Sequence, residues 1–455
     1  MRIDFSKAPI KNRAFSEKPM HFIEQSSKDF FAAIIDVIAV ETGNRGAREH
    51  WQQRQLQNLL KHATQRSEFW RKRIVPKHIN HPDIAELPIL SRGDLAKQVE
   101  AEGSLLPRGG MPVTRHATSG SSGTPVRFFV SQMNSYYNSV RSLAQYFIED
   151  RDLSLNRTRF KPSQERIKNG FSTKKTDDWL GPASSLFRSG TNKEILHLHP
   201  DRNLLLRELE KDPIGYLVAQ PRVIETVFHD RDLSFLSDNG TKMMIPVAED
   251  IGGDLRTKFE EVGIAVRSVY STEEVGFVGA ECSENRETYH VAESNVIVEV
   301  DYQNGLMVGD KLLGRVLITH LHSYATPLIR YEIGDFATLS RTCACGHDGP
   351  ALLNVYGQAK RLLKRPDGTI VPFSMKAANI LAITDCDEYR IRQTTLDTIE
   401  VEIGGIAQLS DEQKLKFRDL FRKHAGHEFR INVVAVPRID WGEDAKRLGF
   451  KSDLF

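Results

Sequence analysis

Apolar residues recur at helical spacing through residues 45–75, where Leu56, Leu59 and Leu60 share a face and Phe69 and Trp70 follow. That pattern predicts an amphipathic helix. Residues 126–131 (VRFFVS) predict a strand, and 132–148 a helix carrying Tyr136, Tyr137, Tyr146 and Phe147. Between 154 and 178 the chain turns polar and basic, with Arg157, Arg159, Lys161, Arg166, Lys168, Lys174 and Lys175. A charge run of this kind is expected as a solvated loop, with contact to the phosphates of a ligand as the other reading. Residues 200–228 predict helix. MMIPVA, a helix around 250–261 and AVRSVYS then alternate, and strand patterns (NVIVEV, GRVLITHL, PLIRYEIGDFATLS) dominate 290–340. Helices between strands predict a layered α/β body.

The character changes past residue 364. RPDGTIVPF reads as a turn into a strand, and EYRIRQTTLDTIEVEI as two alternating strands. SDEQKLKFRDLFRKHAG reads as a helix opened by a capping box from Ser410 to Gln413, and FRINVVAV as a closing strand. The expected organisation is a large N-terminal α/β domain over 1–360 and a small α+β lid over 361–455. A length of 455 residues allows two to four domains of roughly 100–200 residues each.

Composition narrows the class. With 62 Lys and Arg against 60 Asp and Glu, the chain is no polybasic nucleic-acid binder. Four cysteines rule out a disulfide scaffold and leave metal binding or burial. The longest apolar stretch near the start, Phe30–Val40, contains Asp36 and is far short of the roughly 20 residues of a bilayer span. The first residues lack an apolar signal core. The expectation is a cytoplasmic protein with no membrane partner.

The sharpest local feature is Thr118-Ser119-Gly120-Ser121-Ser122-Gly123-Thr124-Pro125. Its glycines permit φ > 0 and its hydroxyls compete for backbone bonds, so it forms no regular element. Such a loop offers N–H groups and hydroxyls to an anion, most naturally a phosphate. A flexible linker is the plainer reading, opposed by the strand that follows directly. The lysine of a P-loop is absent: Val126 and Arg127 follow Pro125. A kinase-type His-Arg-Asp loop is absent as well. Three further segments stand downstream: Tyr270-Ser271-Thr272-Glu273-Glu274, Arg330-Tyr331-Glu332-Ile333-Gly334-Asp335, and Gly357-Gln358-Ala359-Lys360-Arg361.

In this order and at these separations, the four segments resemble the adenylate-forming superfamily of acyl-CoA synthetases, nonribosomal-peptide adenylation domains and luciferases. Within it the segments resemble the phenylacetate–CoA ligase branch, including its capsule-biosynthesis-associated relatives. The resemblance runs from about residue 50 to the C-terminus. It implies that loop residues Thr118 to Thr124 cradle the ATP phosphates and that Tyr270, with Ser271 and Thr272, lies against adenine. It further implies that Glu273, with Glu274 one residue away, holds Mg²⁺, and that Asp335 accepts from the ribose hydroxyls. A small carboxylic acid would be joined to AMP, and a thiol of coenzyme A or a carrier protein would then displace AMP. Transfer to an amine, or a nucleotide-binding relative without catalysis, are the other outcomes.

Two departures stand out. The resemblance calls for a lid lysine after a glycine. Here Lys446, with Lys451 as runner-up, has no preceding glycine. At the hinge, where relatives carry Gly-Arg and then an acidic residue, Gln358 and Arg361 reverse the charge. Ala248-Glu249-Asp250 occupies a place where relatives approach the nucleotide, and aromatics of 136–147 are either core or acyl-pocket lining. Some relatives carry zinc in segments matching Cys282, His290, Cys343 and Cys345, so those four are expected to hold a closed, structural Zn²⁺, with His347 as substitute ligand. Cys386 reads as lid packing. A homodimer is expected from symmetry statistics alone.

Overall fold

The protein, seen as a computed structural model, is described over residues 25–455 except 81, 101–104, 107–112, 118–125, 164–166, 199–200, 229–231, 248–250, 358–360, 374, 376 and 442–448. Helices α1 (Gln25–Thr42), α2 (Arg45–Arg66) and α3 (Glu68–Arg73) come first. Ser67 splits the 45–75 helical pattern: its N–H bonds Ala63 O at the end of α2, and its side chain accepts from Trp70 N at the start of α3. Leu59, Leu60 and Trp70 are fully buried in the main core, and Trp70 Nε1 donates to Pro327 O at 3.2 Å.

Next come α4 (Arg92–Glu100), an antiparallel hairpin of β1 (Val113–Ala117) and β2 (Arg127–Ser131), and α5 (Gln132–Ile148). Ser131 caps α5 by accepting from Asn134 N. The Ser/Gly loop lies outside the described residues, but its two flanks pair as Ala117 with Arg127.

A six-stranded sheet follows, of β3 (Arg157–Pro162), β4 (Phe171–Thr176), β5 (Asn192–His197), β6 (Tyr216–Ala219), β7 (Met243–Pro246) and β8 (Ala265–Val266). Its order is β4-β5-β3-β6-β7-β8, and every pairing is parallel except β4 with β5. Helices α6 (Arg202–Leu209), α7 (Pro221–Val227) and α8 (Gly253–Glu261) connect the later strands. Two expectations are corrected here. The basic 154–178 stretch is not a plain loop but holds β3 and β4: Thr158 and Phe160 point inward while Arg159 and Lys161 point out, so charge hid a period of two. The 200–228 stretch is interrupted by β6, whose four residues are all buried and so show no alternation.

The largest sheet is antiparallel: β9 (Val269–Thr272), β10 (Gly276–Glu281), β11 (Thr288–Val291), β12 (Val296–Val308), β13 (Lys311–His320), β14 (Tyr331–Ser340) and β15 (Ala351–Tyr356). Its order is β12-β13-β14-β15-β11-β10-β9. The C-terminal part has its own core. After the hairpin β16 (Leu362–Lys364) and β17 (Ile370–Pro372) come α9 (Ala377–Leu381), β18 (Glu388–Gln393), β19 (Thr398–Gly404), α10 (Asp411–Ala425), β20 (Arg430–Val436) and β21 (Phe450–Ser452). The sheet β20-β19-β18-β21 buries Ile391, Ile399, Val401 and Ile403 against Phe417 and Phe421 of α10. Cys386 packs on this core. Helix α10 opens with the Ser410–Gln413 capping box and stops at Gly426, φ 62°. Strand β21 lies past the last element predicted from sequence. Among the described residues no helix is long and apolar enough to cross a membrane.

Candidate active site and metal centre

In a flat sheet β9 and β14, four strand positions apart, would be separated by about 19 Å, at 4.7–4.9 Å per step. Yet Tyr270 Oη donates to Asp335 Oδ2 at 2.7 Å. The sheet therefore curls until its members face one another. A bulge in β14 helps: Leu317 pairs with Glu332 and Arg315 with Phe336, so Ile333, Gly334 and Asp335 stand opposite Val316 alone. Gly334 takes φ 93°, a conformation other residues resist, and the bulge presents Asp335. Burial, then the Asp335 charge beside it, pushes the Tyr270 phenol well above its ordinary value. The pair is half-buried and joins an aromatic face to an acceptor-only carboxylate.

The turn between β9 and β10 separates the two adjacent glutamates. Glu273 is exposed. Glu274 is 7% exposed and accepts from Arg92 Nη1 at 2.9 Å and Tyr331 Oη at 3.1 Å. Burial raises the Tyr331 phenol far above its usual range, aided by the Glu274 charge. Thr272 Oγ1 accepts from Val275 N at 3.2 Å and stiffens the turn, while Ser271 is exposed. Arg92 and Tyr331 hold this turn; Tyr331 belongs to the Arg330–Asp335 segment, but no local pattern marked Arg92, because its partner lies on a distant segment.

At the Gly357 segment, a β-carbon on Gly357 would stand 3.8 Å from Asp335 Oδ1 and 3.7 Å from Arg361 Nη1. Arg361 thus turns its guanidinium toward the Asp335 side. Gln358, Lys446, Ala248-Glu249-Asp250 and loop residues Thr118, Ser119, Gly120, Ser121, Ser122, Gly123 and Thr124 lie outside the described residues. Lys451 is half-buried on β21.

The metal candidates converge. Cys282 follows β10, His290 sits on β11, and Cys343 and Cys345 lie in the β14–β15 turn, with their four ligand atoms all within 4.8 Å of one another. Tetrahedral Zn²⁺, with Zn–S of about 2.3 Å and Zn–N of about 2.0–2.1 Å, has edges of about 3.8 Å (S–S) and about 3.5 Å (S–N). Cys343 Sγ lies 3.8 Å from Cys282 Sγ, and Cys345 Sγ 3.4 Å from His290 Nε2. The turn is tightened by Cys343 N donating to His347 O at 2.9 Å and Gly346 N to Cys343 O at 3.0 Å. Glu284 N and Asn285 N donate to Cys282 Sγ at 3.4 and 3.3 Å, and Asn285 Nδ2 to Cys343 Sγ at 3.4 Å. Burial opposes ionisation of Cys282, but the N–H donors outweigh it and hold the thiol below its ordinary value. Burial, then His347, pushes the His290 imidazole down to about 4, so it stays neutral and able to ligate. His347 stands outside the four, its ring stacked on His290 at 4.2 Å.

No family model matches the sequence, and no curated protein matches it. Solved structures do. A 2-hydroxyisobutyryl-CoA ligase in the postadenylation state, in complex with 2-HIB-AMP, matches at TM-score 0.60 and 16% identity, covering 91% of this chain and 90% of that one. The same ligase with R3-HIB-AMP matches at TM-score 0.59 and 16% identity, over 89% and 90% of the two chains. In complex with 2-HIB-AMP and CoA, in the thioesterification state, it matches at 0.54 and 16%, over 91% and 92%. A likeness at 16% identity is one of architecture, and it shows that this chain is built on the fold of the adenylate-forming ligases.

Proposed function

We propose that the chain is an ATP- and Mg²⁺-dependent ligase that adenylates a small carboxylic acid and then transfers the acyl group to a thiol, that of coenzyme A, as phenylacetate–CoA ligase-like enzymes do. The observation that carries this reading is the Tyr270–Asp335 pair on the curled sheet. An aromatic face suits a purine, and a carboxylate suits the two hydroxyls of a ribose, because charge-assisted bonds are roughly twice as strong as neutral ones. In the first step a substrate carboxylate oxygen attacks the α-phosphorus of ATP, the bond to the bridging oxygen breaks, and pyrophosphate leaves. In the second a thiolate attacks the acyl carbon and AMP leaves. The protein's task is positioning and spreading of phosphate charge.

The roles divide as follows. The loop Thr118–Thr124 cradles the phosphates, Tyr270 with Ser271 and Thr272 borders the adenine, and Asp335 orients the ribose. Glu273, exposed beside the buried Glu274, would hold Mg²⁺, which neutralises phosphate charge when bound. Lys446 contributes a cation from the small domain 361–455, which covers the body 1–360. Cys282, His290, Cys343 and Cys345 would hold Zn²⁺ as a closed structural centre that ties the β14–β15 turn to β11.

The test is ATP–pyrophosphate exchange over a panel of aryl and short acyl carboxylates. Exchange with one acid, lost in Asp335→Asn and reduced in Lys446→Ala, supports the reading, and thioester formation with coenzyme A then identifies the acceptor. ATP binding with no exchange across the panel would overturn it.

A further inference from the structure

The two faces of the six-stranded sheet treat their cations differently. On the inner face Phe160 and Ile195 are buried with Leu205, Leu206 and Leu209 of α6. Lys175 and Lys193, paired across β4 and β5, both reach Asp212, Lys175 at 2.7 Å. The outer face of β4, β5 and β3 has no such cover among the described residues. There Arg159, Glu194 and Lys174 stand in one row, and Lys161, Leu196 and Ser172 in the next, toward the carboxyl ends of β3 and β5. Arg159, Lys161, Ser172 and Lys174 are exposed. None of these three cations has a hydrogen bond or ion pair among the described residues. Glu194, half-buried, is the one carboxylate in the two rows, and Lys168 in the β3–β4 connection adds another exposed cation. The bare area is bounded. Arg157, one row back, lies 5.4 Å over the Trp179 ring, and Val218 of β6, opposite Arg159, is 9% exposed.

Parallel strands ordinarily carry helices on both faces. The parallel neighbours β3 and β5 have that second layer on one face only. Residues 1–24 carry the wrong sign to neutralise the bare face: Arg2, Lys7, Lys11, Arg13 and Lys18 stand against Asp4, Glu17 and Glu24. Small ligands take concave, mostly apolar sites, and this face is a flat polar one. Single-stranded nucleic acid is held by stacking aromatics, and these rows have none. A lipid surface is gripped by apolar side chains as well as by cations, and no large apolar residue is exposed between 134 and 301 among the described residues. We infer that the outer face of β4, β5 and β3 docks an acidic helix of a partner protein, which supplies the missing layer. Arg159 and Lys161 stand about 6.6 Å apart along β3. Carboxylates at i and i+4 of a helix stand about 6 Å apart, so one helix face meets both. Lys174, about 9.5 Å from Arg159 across two strand steps, takes a third carboxylate from the helix flank. The planar fork of Arg159 suits a carboxylate in particular. A contact this small and polar is transient and sensitive to salt. It does not rest on the ligase reading.

The experiment uses the full chain and a labelled, alanine-based helical peptide of about 20 residues with glutamates at i, i+4 and i+8. The comparison probes are its glutamine twin, a single-stranded oligothymidylate, and vesicles of phosphatidylglycerol and phosphatidylcholine in equal parts. By fluorescence anisotropy the glutamate peptide should bind at least about tenfold more tightly than the glutamine twin, and more weakly as salt is added. The triple variant Arg159→Ala, Lys161→Ala, Lys174→Ala should bind it about tenfold more weakly than the wild type. Its Tm should stay within about 2 °C, because the three side chains hold no other residue. A second triple variant of equal charge, Lys416→Ala, Arg418→Ala, Lys423→Ala on the exposed side of α10, should bind as the wild type does. Equal binding of the glutamine twin, or an equal loss in the α10 variant, overturns the inference. So does tighter binding to the oligothymidylate or the vesicles than to the peptide, and so does no binding of the peptide at all.

Discussion

Tyr270 and Asp335, four strands apart in one sheet, close on each other through a 2.7 Å hydrogen bond from phenol to carboxylate. Two devices make that contact: the curl of the sheet and the bulge in β14 that sets three residues opposite Val316. The bond fills the carboxylate's acceptor capacity only in part, so Asp335 can hold the tyrosine and still accept from a ligand.

The pair is therefore expected to set both nucleotide affinity and stability. Tyr270→Phe removes one hydrogen bond, with a loss of about 1–3 kcal/mol in unfolding free energy. Its nucleotide affinity, by calorimetry, should weaken about tenfold. Gly334→Val should do worse on both counts, because a β-branched residue at φ 93° costs about 1–3 kcal/mol and moves the bulge that presents Asp335. Wild-type nucleotide affinity in both variants would contradict this assignment.

The two neighbouring glutamates should separate in opposite ways. Glu274→Gln breaks an inner ion pair with Arg92 and weakens the bond from Tyr331, so unfolding free energy should fall by about 3 kcal/mol. Glu273→Gln, at an exposed turn, should leave stability within about 0.5 kcal/mol. Its effect should appear in the Mg²⁺ dependence of pyrophosphate exchange, with half-saturation moving to higher Mg²⁺. If Glu273→Gln is the destabilised variant and Glu274→Gln is not, the division of labour is wrong.

Short-range chemistry was readable in the chain; long-range geometry was not. The capping box Ser410–Gln413 and the turn-flanked strands of the C-terminal part depend on neighbours three or four residues away, and they fold as their spacing predicts. Cys343 and Cys345 are close in sequence, but their meeting with Cys282 and His290 depends on β11 pairing with β15 and was expected only through the family resemblance. The Arg92–Glu274 pair spans 182 residues and left no local trace. Strand β6 was hidden because both its faces are buried, β3 because its outward residues are charged, and β4 because, exposed along nearly its whole length at the sheet edge, it shows no alternation.

The cysteine cluster predicts metal content. Elemental analysis of the purified chain should find about one zinc per molecule, the ratio of a single closed four-ligand site. Cys282→Ser and Cys343→Ser should each lose it. Prolonged chelation should lower Tm by about 5–10 °C, since structural metal binding is folding free energy. A metal-free protein with unchanged Tm would remove zinc from the description, leaving three thiols and a half-buried imidazole.

Two further histidines set the acid limit of the fold. His320 is 0% exposed and His322 3%, and neither ring has a hydrogen-bond partner among the described residues. His322 stacks on Tyr137 at 4.1 Å and feels the Arg141 charge. Burial, then His322 beside it, pushes His320 down to about 3; burial, then Arg141, pushes His322 down to about 4. In the unfolded chain both return to an ordinary value near 6.5. The unfolded state therefore binds protons that the folded state refuses. The stability from keeping both rings neutral is fully present above pH 6.5 and is lost as pH falls from there toward 4 and then 3. Each pH unit costs up to about 1.4 kcal/mol per ring across that window. Denaturant unfolding at successive pH values should show this slope in the wild type and a shallower one in His322→Gln, which cannot titrate. Because acid would also protonate the Cys282, His290, Cys343 and Cys345 cluster proposed to hold zinc, the comparison belongs in a Cys282→Ser background as well. A slope that His322→Gln leaves untouched in both backgrounds would assign the acid lability to some other group.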